Sequence, residues 1–172
     1  MSHTESKKKA GCLCAEALWQ TAIKIMEADM DDDSIKLLRE CDAGIKMAIS
    51  SIDEILENVS DEKMKKILRD SKAEHRKLEQ EAEEYLNQYQ EPEKEPAAMA
   101  KAMSWFKTNM KMVMDESDAT VADLITDGCH MGIKSVHRYL NQYPSAEGKI
   151  RKLAENLVDA QEKLLKDMRA YL

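Results

Sequence analysis

Apolar residues recur at alternating spacings of three and four along several stretches of this chain, and each stretch predicts a helix with one buried face. In the first, Ile35, Leu38, Ile45, Ile49, Ile52, Leu56 and Val59 keep the rhythm, with Asp42 as the only charged member. In the second it passes through Met64, Leu68, Ser71, His75, Leu78, Ala82, Tyr85 and Tyr89. Asn58 and Ser60 are the only punctuation between them, so the two helices are expected to fold back on each other as an antiparallel hairpin. A second hairpin follows the same logic. Residues 120–141 place Val121, Leu124, Ile125, Gly128, Met131, Gly132, Val136, Tyr139 and Leu140 on one side, with Asp118 or Thr120 as the capping residue. After "YPSAEGK", with Ser145 as the expected cap, Ile150, Leu153, Leu157, Gln161, Leu164, Met168 and Tyr171 line the last helix.

Between the hairpins stands the proline-broken "QEPEKEP", then residues 97–114, whose Met99, Met103, Phe106, Met110, Val113 and Met114 predict a further helix of about 27 Å. A segment of that length returns the chain along a bundle, which makes the second and third bundle helices parallel. The pentapeptide "YLNQY" ends a helix twice, at residues 85–89 and 139–143, and the crossover topology requires both copies at one end. Upstream, residues 15–30 read as a short extra helix with Leu18, Trp19, Ala22, Ile23, Ile25 and Met26 on its apolar face. The acidic residues of 29–33 then fall at the amino end of the helix beginning near Ser34, where the helix dipole favours negative charge. The predicted organisation is a disordered tail over 1–14, an extra helix and acidic linker over 15–33, and an all-α four-helix bundle with a long helical crossover over 34–172.

Composition sharpens this picture. With five glycines and three prolines in 172 residues, and aromatics at 5%, helix is favoured over sheet throughout. A net charge of -7 with no basic face argues against a nucleic-acid partner. The lysines at 7–9 are not followed by an uninterrupted apolar run and no stretch approaches a membrane span, so a cytoplasmic protein without a membrane partner is expected. Cys12, Cys14, Cys41 and Cys129 form no metal-binding pattern and are expected to be free thiols, the last two near the core.

The predicted crossover arrangement resembles that of ferritin-like proteins, and "MSWFKTNMKMVMDES" with "ITDGCHMGIKSVHRYLNQYP" is similar to a little-characterised group of ferritin-like bacterial proteins. The similarity covers about residues 34–172. It implies a ferritin-like four-helix bundle, whose di-iron members draw a glutamate from each of two helices and Glu-x-x-His from each of the other two. This chain departs from that pattern: Lys72 stands three residues before His75, and the last helix has no histidine.

Two ligand sets remain candidates for a divalent metal, iron or another. Inside the bundle, Asp42 and His75 lie about equally far from the hairpin turn, with Asp159 and Glu162 as further oxygen donors; the alternative is a structural Asp42–His75 hydrogen bond. On the surface, Asp127 and His130 stand three apart on a polar helix side, where a solvated acid–imidazole pair is the competing reading. Met110, Met112 and Met114 do not share a face and read as core filler rather than copper ligands. Gly128 and Gly132 are expected to admit a bulky neighbour such as Trp105 or Phe106. No nucleophile, phosphate loop or catalytic carboxylate pair emerges. The expected function is therefore a non-catalytic protein-association or scaffold module without a cofactor, acting as a homodimer, and the alternative is a metal-binding redox or storage protein with an atypical ligand set.

Overall fold

The computed structural model describes residues 4–89 and 117–172, and of the side chains before Asp32 only those of Gln20 and Lys24. Four helices, α1 (Thr4–Leu56), α2 (Glu62–Gln88), α3 (Asp118–Gln142) and α4 (Gly148–Met168), pack side by side, with a final 3-10 turn at Arg169–Tyr171. The described residues contain no strand, and none of their helices is long and apolar enough to cross a membrane. Residues 90–116, which carry the predicted crossover helix and its methionines, Trp105 and Phe106, lie outside the described residues.

Hydrogen bonds between loops fix the direction of each helix. At one end Asp118, the first residue of α3, accepts the backbone N–H groups of Ser60 and Asp61 at 2.8 and 3.0 Å, and the Tyr171 hydroxyl donates to Asp61. That end therefore gathers the α1–α2 turn, the start of α3 and the finish of α4. At the other end the Tyr89 hydroxyl donates to Glu147 at 2.6 Å, and the Lys149 ammonium sits over the rings of Tyr85 and Tyr89. Tyr85, Tyr89, Tyr139 and Tyr143 all pack on one apolar cluster there, so both "YLNQY" copies share an end. It follows that α2 and α3 point the same way. They occupy opposite corners, while α4 packs on all three other helices.

The sequence suggests a helix break at residues 29–33, and the structure has none. α1 is continuous from Thr4, through the expected tail, extra helix and linker, to Leu56. Aspartate inside a helix costs only about 0.7 kcal/mol relative to alanine, no proline intervenes, and Lys36 pairs with Asp32 one turn earlier. The polar residues that resemble a local cap serve a different helix. Asp33 accepts the Ser145 amide at 3.0 Å and the Ser34 hydroxyl accepts the Glu147 amide at 2.8 Å, at the start of α4, which has no side-chain cap of its own. The expected cap Ser145 thus donates its amide instead of receiving one. For α3 the cap is Ser117, whose Oγ accepts the Thr120 amide, rather than Asp118 or Thr120. Because residues 33 and 34 stand level with the α3–α4 loop, the first part of α1 continues about 40 Å past the bundle at the helical rise per residue.

The seams fill as their spacing predicts: Leu38, Ile45, Ile49, Ile52, Met64, Leu68, Ile150, Leu153, Leu157, Leu164 and Met168 are all buried. The buried apolar residues divide into two clusters, one near each end. On α2 the gap falls at Ser71 and His75, and on α4 at Gln161, all buried, so a polar layer interrupts the core at mid-height.

Candidate functional site

The polar layer forms the floor of a cleft of about 310 Å³ between α1 and α3. Small residues create it: Ala43, Gly44 and Ala48 on α1 face Gly128 and Gly132 on α3. Met47, Leu124 and Met131 add apolar wall, and Met131 is 46% exposed. The α3 stripe therefore divides. Val121 and Leu140 are buried in the core, Ile125, Cys129 and Val136 are buried and also reach the cleft wall, and Gly128, Met131, Gly132 and Tyr139 line the cleft with partial exposure.

His75 is fully buried and projects from α2 into this cleft. Its Nδ1 lies 2.9 Å from the Ser71 carbonyl oxygen, which accepts only, so Nδ1 carries the proton and Nε2 presents a lone pair. Burial pushes the imidazole below its ordinary range, against the raising effects of the Ser71 carbonyl and Glu74, which favours this neutral form. Among the described residues Nε2 has no hydrogen-bond partner, and neither does Oε1 of Gln161, which is 6% exposed on the same floor. Gln161 explains Gly132: a β-carbon there would stand 2.7 Å from Nε2 and 2.8 Å from Cδ of the glutamine amide. At Gly128 a β-carbon would meet nothing within 4 Å, so no bulky side chain among the described residues occupies the space over it.

Two outcomes follow. Gly128→Ala is expected to stabilise the protein by about 0.5–1 kcal/mol through helix propensity, while Gly132→Ala loses that gain by displacing the amide; thermal melts of the two variants check the difference. The depressed folded-state value of His75 gives stability that is full above the unfolded value of about 6.5 and is lost as pH falls toward the folded one. Melting temperature should accordingly drop between pH 7 and pH 5 in the parent chain and less so in His75→Phe.

The structure does not gather the residues read from sequence as metal ligands. Asp42 is buried, but its Oδ2 is bound by Lys46 one turn along the same helix at 3.0 Å, and its charge feels Glu79, a turn beyond His75 on α2. The register is thus about one turn off the level match that the sequence suggests, and the expected Asp42–His75 hydrogen bond does not form: His75 turns instead to Ser71. Asp159 and Glu162 are exposed; Asp159 lines a shallow groove between α2 and α4 with Asp70 and Glu74. Asp127 and His130 are exposed on the outer side of α3. No group of three or more His, Cys, Asp or Glu among the described residues is placed to hold a metal ion. Burial pushes the thiols of Cys41 and Cys129 up to about 12, which keeps them protonated and unreactive. Among the described residues the inward side chains, Asp42 on α1 held by Lys46, Ser71 and His75 on α2, Thr126 and Cys129 on α3, and Gln161 on α4, supply one carboxylate and one imidazole and do not fit a di-iron centre of the ferritin-like kind.

Compared with known proteins, the chain matches no family model, no curated protein and no solved structure. The cleft's rim is polar, with Ser51, Ser135 and the Tyr139 hydroxyl, which burial and then the Glu40 carboxylate push above its ordinary range. The seam spacing places Gln161 inward, whereas its match to Gly132 depends on how α3 packs against α4. A glycine and a glutamine on facing seams were the available signal.

Proposed function

We propose that this chain is a cytoplasmic ferritin-like bundle that acts through protein association as a homodimer, without chemistry of its own. The observation that supports it most is the overrun of α1: the helix continues past the point where the α3–α4 loop closes the bundle. In the sequence Leu18, Trp19, Ala22, Ile23, Ile25 and Met26 recur at helical spacing, the pattern of a helix that gains its stability by packing on a partner. A second copy offers the same pattern, and a two-fold pairing of like segments is self-complementary and closed. The parallel α2 and α3 at opposite corners support the ferritin-like reading, and the buried free thiols Cys41 and Cys129 suit a reducing compartment.

Sedimentation equilibrium of the full chain should give a dimer at micromolar concentration. Removing residues 4–31 should weaken it at least about tenfold while leaving the bundle's melt cooperative. A monomer in both forms overturns the proposal.

A further inference from the structure

The cleft between α1 and α3 has the anatomy of a small-molecule site: about 310 Å³, walls of small and apolar residues, and two buried polar groups converging at its floor. Burying a polar atom without a partner costs on the order of 1–3 kcal/mol, and the floor carries two such atoms, His75 Nε2 and Gln161 Oε1. Gly132 gives up a side chain to keep the Gln161 amide where it is. A purely structural layer would have paired these two groups with each other or with the helix backbone.

Their chemistry selects a ligand. His75 Nε2 accepts a hydrogen bond, since Nδ1 holds the proton against Ser71. The glutamine amide accepts through oxygen or, turned by 180°, donates through NH2. A hydroxyl group satisfies both at once, donating to the imidazole and accepting from the amide. Among the described residues that line the cleft, Glu40 is the one with a formal charge and none is lysine or arginine, so an anionic head group meets a repelling carboxylate at the rim they form. A dry, apolar cavity of 150 Å³ accommodates one benzene ring, so one of this volume suits about two.

We propose that the α1–α3 cleft binds a neutral, largely apolar alcohol or phenol of about two-ring size, with its hydroxyl group held between His75 Nε2 and the Gln161 amide. This goes beyond the association proposal and does not depend on it.

Titration of the full chain with 2-naphthol, naphthalene and 2-naphthoate tests the site, with binding followed by calorimetry and His75 followed through the 15N signals of its ring. The phenol should bind about tenfold more tightly than the hydrocarbon, the worth of one buried hydrogen bond, and more tightly than the carboxylate, and it should move the Nε2 signal. His75→Phe and Gln161→Leu, each shown to melt cooperatively, should erase the preference for naphthol over naphthalene; if one fails to fold, the other decides. No binding by any probe, equal binding of phenol and hydrocarbon, tighter binding of the carboxylate, or naphthol binding that leaves the His75 ring signals unmoved would each overturn the proposal.

Discussion

Replacing Leu157 with alanine is expected to cost about 3–5 kcal/mol of unfolding free energy, the upper part of the range for buried leucines. The melting temperature should fall by roughly 6–20 °C for a chain of this size. Leu157 is fully buried on α4, which, like α1, packs on all three other helices. Opposite its Cδ2 stands Gly44 of α1, where even an added β-carbon would remain 3.9 Å away. A glycine has no side chain to swing into the void, so the site collapses poorly and the cavity term stays large. Gly44→Ala alone should gain about 0.5–1 kcal/mol from helix propensity, and combined with Leu157→Ala it should recover more than that, because the new methyl group faces the new space. Urea unfolding of the four chains supplies the double-mutant cycle. A Leu157→Ala cost below about 1 kcal/mol would mean that α4 does not fill the centre of the bundle.

The elements built on long apolar periodicity were legible in the sequence because the period alone determines which residues share a face. Ile45, Ile49 and Ile52, then Leu68 and Leu78, then Leu153, Leu157 and Leu164 are buried as their spacing requires. What periodicity lacks is the identity of the neighbour. Gly128, Met131, Gly132 and Tyr139 sit on the apolar side of α3, yet they border the cleft because the facing α1 residues Ala43, Gly44 and Ala48 are too small to close it. Residues 29–34 fail for a related reason. An acidic run followed by serine carries the local marks of a helix start, and only the tertiary structure reveals that Asp33 and Ser34 hold the amides leading into α4 while their own helix runs through.

The polar layer was visible in outline. Asp42, His75 and Gln161 interrupt apolar seams, and all three are buried. Their pairing was not visible, since it depends on about one turn of register between α1 and α2 and on local alternatives: the Ser71 carbonyl for His75, and Lys46 for Asp42. A histidine and an aspartate at similar distances from a turn invite a metal or a shared hydrogen bond, but a partner one helical turn away on the same helix needs no long-range register and takes precedence.

Asp42 yields the second large effect. Its carboxyl is 6% exposed, and burial pushes it above the usual carboxylate range, with the charge of Glu79 adding to the rise and the Lys46 ammonium opposing both. Lys46→Met removes that opposition and leaves a buried carboxylate beside another acid, so a loss of about 2–4 kcal/mol is expected at pH 7.5. Because the folded-state value lies above the unfolded one, the stability linked to Asp42 is full below the unfolded value near 3.9 and is lost as pH rises through the folded one. The sign is opposite to that of His75, whose contribution is lost as pH falls. Lys46→Met raises the Asp42 value further, so the gap between the variant and the parent chain should be wider at pH 7.5 than at pH 4.5. Asp42→Asn in the Lys46→Met background should restore most of the loss at the higher pH, since an amide in that position carries no charge to desolvate. Urea midpoints at the two pH values decide the matter: a gap of equal size at both would mean that lysine packing, rather than its charge on Asp42, holds this part of α1 in place.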